Sequence, residues 1–299
     1  MYTSLLKHFG LQNSALIGNG SESHVYALDD TKIVRIYRSH IASDDAHARW
    51  HFYTQLAQQK PAFTIPHIFT TGIIDGHVYT IERRMPGQDF AQALPGLVGP
   101  ARAHALYSYL DLAAQIGTLQ FPDSAYGELA LPSNAIHTAN WPEYLWERIQ
   151  ANIHASKDEL AQALPQLEHV LTQVHTRLER LEPRPAKSLV HGDYFPGNVF
   201  IDHNHTVYGV GDFGYSTLVG DQRMDLVGAI VFLELVDGYQ DSDTALLLRH
   251  LVQIAPEVTT DLLELYHSYY ALYFSGCKDD DPKTYAWCMR QLHNIALSW

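Results

Sequence analysis

His191-Gly192-Asp193-Tyr194-Phe195-Pro196-Gly197-Asn198, followed after two short apolar runs by Asp212-Phe213-Gly214, is the stretch on which the reading of this chain turns. Between the two segments, Val199 to Asp202 and Val207 to Val210 have the β-branched and aromatic content of strands, and His203-Asn204-His205 is turn-forming. Antiparallel pairing about that turn places Asn198, just before the first strand, beside Asp212, just after the second. Asp193 precedes them in a loop pinned by Pro196 and Gly197. A free carboxylate beside a second carboxylate and an amide oxygen is a set of hard ligands suited to Mg2+ bridging substrate phosphates. That inventory points to phosphoryl transfer, with Asp193 accepting the proton of the attacking hydroxyl and with Asn198 and Asp212 as metal ligands.

Moving outward, the rhythm of the pattern changes near Gly87. Before it, Ala15 to Ile17, Val25 to Leu28, Lys32 to Tyr37 and Val78 to Glu82 read as short strands of an antiparallel sheet, and Asp44 to Gln58 as one helix packed on it. After it, helices are expected over Pro100–Leu119, Pro142–His154, Lys157–Leu181, Asp225–Val236, Ser242–Ala255, Val258–Ser275 and Pro282–Leu297. The expected fold class is α+β and bilobal: a β-rich lobe over residues 1–86 and a larger, mostly helical lobe over residues 87–299 that carries the hairpin.

His-Gly-Asp, four residues, Asn, a short hairpin, Asp-Phe-Gly and then Gly220-Asp221-Gln222-Arg223-Met224-Asp225-Leu226 together resemble the signature of the aminoglycoside phosphotransferase family, whose relatives include choline-kinase-like small-molecule kinases. The resemblance implies a protein-kinase-like fold and transfer of the γ-phosphoryl of ATP, with GTP not excluded, to a hydroxyl of a small molecule with Mg2+. By the same resemblance Asp193 is the catalytic base, His191 supports its loop, Asn198 and Asp212 hold Mg2+, and Asp225 caps a helix while binding catalytic-loop amides. The acceptor would be an aminoglycoside-like antibiotic, an amino alcohol, homoserine or a sugar-like metabolite. A catalytically weak nucleotide-binding regulator of the same fold is the alternative.

Toward the nucleotide, Ile17-Gly18-Asn19-Gly20-Ser21-Glu22-Ser23 sets glycines between two strands, where bare amides approach phosphates closely. Gly18, Gly20 and Ser21 are the candidate contacts, although Gly-Asn-Gly is also an ordinary turn and Ser23 stands where the third glycine of G-x-G-x-x-G would be. Arg35 falls where kinases place a phosphate-binding lysine, and strand alternation puts it on the face opposite Lys32. The following helix, Ala46-His47-Ala48-Arg49-Trp50-His51-Phe52, has no glutamate to pair with that cation; Asp44, Asp45 and Glu22 are the candidate substitutes. Tyr79 to Gly87 resembles an inter-lobe hinge, with backbone groups from Glu82 to Met85 meeting adenine.

Composition bounds the partners. The 299 residues are 46% hydrophobic and carry a formal net charge of -13, which argues against wrapping a nucleic-acid backbone and leaves room for a cationic acceptor. Cys277 and Cys288 read as unlinked thiols, the N-terminus lacks an export signal, and the apolar stretch from Met224 to Val236 reads as a core helix, so a cytoplasmic, non-membrane monomer or homodimer is expected. His47 and His51, one helical turn apart, read as surface residues, Asp279-Asp280-Asp281 as a solvated loop, and the aromatics from Tyr266 to Phe274 as core. Glu143, Glu147 and the region 266–281 remain open as acceptor contacts.

Overall fold

The computed structural model describes residues 2–14, 16–20, 22–38, 42–129, 135–154 and 156–298. A short helix α1 (Thr3–His8) leads into β1 (Leu16–Asn19), β2 (Ser23–Ala27) and β3 (Lys32–Tyr37), then helix α2 (Ser43–Gln58), β4 (Ile68–Ile74) and β5 (His77–Arg83). These strands form one antiparallel sheet in the order β1-β2-β3-β5-β4. Alternation along β3 buries Val34 and Ile36 on one face and turns Arg35 to the other.

Helix α2 buries Asp45, Ala46, Arg49, Phe52, Tyr53 and Leu56, the recurrence of one helical face. Its first turn is closed by Asp45, whose carboxylate accepts the Ala42 N–H at 3.2 Å.

The chain continues through β6 (Gln88–Asp89), α3 (Phe90–Ala93), α4 (Gly99–Ile116), β7 (Tyr126–Glu128), β8 (His137–Thr138), α5 (Trp141–His154), α6 (Lys157–Ala163), α7 (Leu167–Leu178) and β9 (Ser188–Val190). The hairpin β10 (Val199–Ile201) and β11 (Val207–Val210) follows, then β12 (Leu218–Gly220), α8 (Arg223–Val231), α9 (Asp241–Ile254), α10 (Thr260–Tyr273) and α11 (Pro282–Ser298). The α+β architecture is thus as read from sequence. One apolar core runs from Phe52, Tyr53 and Leu56 of α2 through Phe213 to Leu106, Tyr109 and Ile230, so α2 is packed directly on the floor beneath it. A second core gathers Trp141, Tyr144, Tyr266, Tyr269, Tyr270 and Trp287.

Several expected elements change. The helix expected over 157–181 is two helices, because Pro165 lacks an N–H and its ring clashes with the preceding turn. The helix expected over 225–236 starts at Arg223 and tightens into a 3-10 turn at Phe232–Leu235. Strand β4 and helix α1 were not anticipated, and Ala15 lies outside the described residues. The two cysteines are free, and among the described residues no helix is long and apolar enough to cross a membrane.

Candidate active site

The floor of the site begins where β9 ends. Gly192 has φ +75°, and a Cβ there would fall 1.9 Å from the Ser216 carbonyl oxygen, so only glycine fits between His191 and Asp193. The turn is wired from below by Asp225 near the start of α8, which accepts the His191 N–H at 2.6 Å and the Gly192 N–H at 3.0 Å. Burial pushes the Asp225 carboxyl up to about 7, against the two N–H donors that favour its ionised form.

His191 is buried, with its ring 4.6 Å from that of Phe213. Its Nδ1 accepts the Asp193 N–H at 3.3 Å, so Nε2 carries the hydrogen and donates to the Gly211 carbonyl at 2.8 Å. Burial lowers its pKa and keeps it neutral. His191 therefore ties the Asp193 loop to the end of β11 rather than facing the cleft.

Asp193 itself is half-buried at the cleft floor. Burial and then the Asp212 charge push its carboxyl up to about 7, while the hydrogen bond from Asn198 opposes the shift. The Asn198 amide donates to the Asp193 carbonyl at 3.0 Å and to Oδ2 at 3.4 Å. Tyr109 and Tyr194 lock the same loop to α4, each hydroxyl donating to the other's carbonyl at 2.8 Å with the rings 4.8 Å apart.

The hairpin does what its pattern implied. Val199 pairs with Val210, and Gly211 N–H donates to the Asn198 carbonyl at 2.8 Å, which brings the Asn198 and Asp212 backbones to one end. Asp212 has φ +60°, a left-handed conformation tolerable for Asp, which turns its half-exposed carboxylate to the cleft while Phe213 enters the core. Phe213 packs 5.6 Å from Phe52 and donates its N–H to the Tyr53 hydroxyl at 3.3 Å.

The roof comes from the sheet. Gly18 and Gly20 line the cleft, and Gly20 is held by its N–H to the Ser23 carbonyl at 3.0 Å and by Arg38, which donates to the Gly20 carbonyl at 3.2 and 3.1 Å. Ser21 lies outside the described residues. Arg35 donates through Nε to Glu82 Oε1 at 2.9 Å and through Nη1 to Ser23 Oγ at 3.1 Å, and its Nη1 is 3.9 Å from Asp212 Oδ1.

The partner of Arg35 is thus Glu82 on the adjacent strand, not Asp44, Asp45 or Glu22. Ile33 pairs with Glu82, and period-two alternation puts Glu82 on Arg35's face. Glu82 also accepts from Thr80 Oγ1 at 2.6 Å. Glu22 instead accepts from Arg49 of α2 at 2.7 Å, while Asp45 caps α2. At the hinge, the Arg83 and Arg84 amides are bonded to the His67 and Thr31 carbonyls, whereas the Met85 N–H takes no partner among the described residues.

One cleft of about 710 Å³ is lined together by Gly18, Gly20, Arg35, Glu82, Met85, Asp193, Asn198 and Asp212. Sequence reasoning missed Arg49 and Tyr109, whose roles depend on contacts distant in the chain, and Thr80, which bonds Glu82 two residues along the same strand. Of the open acceptor candidates, Glu143 lines a separate surface cavity with Trp146 and His175. Tyr266, Tyr269 and Tyr270 are core, while Tyr273 meets the cleft-lining Ser216 at 3.2 Å. Among the described residues no three His, Cys, Asp or Glu side chains converge as a metal cage. The donor set present, Asp212 with the Asn198 amide oxygen, suits Mg2+, which keeps waters and substrate phosphates in its shell.

The chain is similar in fold to the streptomycin–ATP–APH(2'')-IIa ternary complex, at TM-score 0.64 and 16% identity over 99% of this chain and 96% of that one. It is likewise similar to the GDP and kanamycin complex of APH(2'')-IIIa, at TM-score 0.64 and 16% identity over 100% and 99%. A third is aminoglycoside phosphotransferase APH(3'')-Id of Streptomyces rimosus with ADP and streptomycin, at TM-score 0.59 and 12% identity over 91% and 98%. No curated protein matches the chain in sequence. The model of the phosphotransferase enzyme family, APH, matches residues 15–257, and the chain belongs to that family.

Proposed function

We propose that this phosphotransferase moves the γ-phosphoryl of ATP, or of GTP, to a hydroxyl of a small molecule bound beside Asp193. The observation that carries the reading is the single cleft in which a general-base carboxylate, a hard-ligand pair and a glycine-and-arginine roof face one another. In this reading residues 1–86 hold the nucleotide, with the base against the Met85 N–H and the phosphates under Gly18, Gly20 and Arg35. Residues 87–299 then supply the floor and the acceptor site.

Asp193 accepts the acceptor's hydroxyl proton as the oxygen attacks the γ-phosphorus in line. The P–O bond to the β-phosphate breaks, the nucleoside diphosphate leaves, and the proton passes from Asp193 to solvent. Asn198, by holding the Asp193 loop, fixes where that proton is accepted. Mg2+ held by Asp212 and Asn198 would supply charge neutralisation across the β- and γ-phosphates.

The solved structures named above hold streptomycin or kanamycin, which makes aminoglycosides the first acceptors to try, followed by amino alcohols, homoserine and sugars. The Arg35–Glu82 pair weakens the case for an inactive regulator, because the phosphate-binding cation keeps a carboxylate partner. Release of nucleoside diphosphate measured across that panel should be Mg2+-dependent and rise with one acceptor class. Tight Mg–nucleotide binding with no acceptor-stimulated release would favour the regulator instead.

A further inference from the structure

Arg49 is a buried cation at the meeting point of three segments. It projects from the middle of α2, is only 3% exposed, and lies with its guanidinium 5.6 Å from the Tyr37 ring. One nitrogen donates to Glu22 Oε2 at 2.7 Å and another stands 3.9 Å from Asp212 Oδ1. The same guanidinium borders Gly214: a Cβ there would lie 3.5 Å from Arg49 Nη2 and 3.7 Å from Glu22 Oε1. Glu22 and Asp212 both line the cleft, whereas Arg49 lies behind its wall.

Charge accounting gives these contacts a direction. A buried guanidinium is tolerable only when paired, and Arg49 has two carboxylates within reach, one close and one at the edge of ion-pair distance. Glu22 takes the short bond, so Asp212 is attracted without being captured. Asp212 is therefore pulled toward the wall by Arg49 and Arg35, each at 3.9 Å, yet remains half exposed to the cleft. Arg38 also holds the glycine-rich loop, donating to the Gly20 carbonyl.

We propose that Arg49 is a positioning residue for the Mg–nucleotide site, a clasp that fixes the glycine-rich loop through Glu22 and the Asp212 carboxylate through its own charge. The inference rests on the phosphotransferase reading of the cleft. It assigns to α2 a cation that acts on the loop and on Asp212 together, while the strand cation Arg35 is partnered within the sheet. Removing the Arg49 charge frees the loop and releases Asp212 in one step. Removing the Glu22 charge leaves Arg49 with Asp212 as its one remaining ion-pair carboxylate among the described residues, so metal and arginine then compete for the same oxygens.

The test uses the full chain and two readouts. In calorimetry with Mg·ATP and Mg·GTP, Arg49→Met is expected to bind about 10- to 100-fold more weakly than wild type, with Arg49→Lys between the two. Glu22→Gln is expected to raise the Mg2+ concentration needed for half-saturation several-fold. In hydrogen exchange on the nucleotide-free protein, Arg49→Met should speed exchange over both 18–25 and 211–214. A folded Arg49→Met with wild-type Mg–nucleotide affinity, or exchange rising only in 18–25, overturns the clasp. If Arg49→Met does not fold, Glu22→Gln decides, because an unchanged Mg2+ requirement in it contradicts the proposal. Wild type that binds neither nucleotide would instead overturn the reading of the cleft itself.

Discussion

The loop around Asp193 and the roof around Arg35 face each other across one cleft but are held by different forces. Residues His191 to Tyr194 are fixed chiefly through backbone groups: two amides into Asp225, one into His191 Nδ1, the Asp193 carbonyl accepting from Asn198 and the Tyr194 carbonyl from Tyr109. Arg35, Glu82, Glu22 and Arg49 are fixed through side-chain charge, in pairs that tolerate changes of length and direction better than a buried amide does. In the proposed reaction, backbone wiring pins the Asp193 carboxylate where small displacements are costly to rate. In the same reading, charge pairing leaves the roof free to trade partners for nucleotide phosphates.

Breaking the floor should therefore hurt more than breaking the roof. Asp225→Ala strands two buried N–H groups and should lower unfolding free energy by about 3 kcal/mol, read from denaturant midpoints, with turnover lost in the remaining folded protein. Asp225→Asn keeps one acceptor and should fall between that variant and wild type. At the roof, Glu82→Gln preserves the shape beside Arg35 and Thr80 but removes the charge. It should cost about 1 kcal/mol of stability and several-fold in nucleotide affinity, with kcat changed less. Equal losses from Asp225→Ala and Glu82→Gln would erase the distinction between the two walls.

The same contrast explains what could be read from sequence. The floor lies almost wholly within residues 191–225, so motif spacing and one hairpin turn were enough to bring Asn198 and Asp212 together. The roof draws Glu22, Arg35, Arg49 and Glu82 from four separate elements. That Glu82 meets Arg35 depends on the Ile33–Glu82 register, which follows from sheet order and not from local pattern. Strand β4 was missed although Asp75-Gly76, both at positive φ, carry a recognisable two-residue hairpin signal before β5. The break in the 157–181 helix was legible too, since Pro165 stands in its interior. Arg49 lies at i-3, i+3, i+4 and i+7 spacing from Ala46, Phe52, Tyr53 and Leu56, so its burial was legible in the helix pattern, but its carboxylate partners Glu22 and Asp212, distant in the chain, were not.

The central claim is that Asp193 accepts the hydroxyl proton in this cleft, and the pH profile of turnover in wild type and Asp193→Asn tests it most directly. With the free carboxyl raised to about 7, kcat/KM for the nucleotide should fall as pH drops through that value, because the protonated acid cannot take the proton. Asp193→Asn should lower kcat by roughly two to four orders of magnitude with nucleotide affinity nearly intact, and the acid limb should vanish from what remains. Wild-type turnover in Asp193→Asn, or an unchanged acid limb in that variant, would contradict the account.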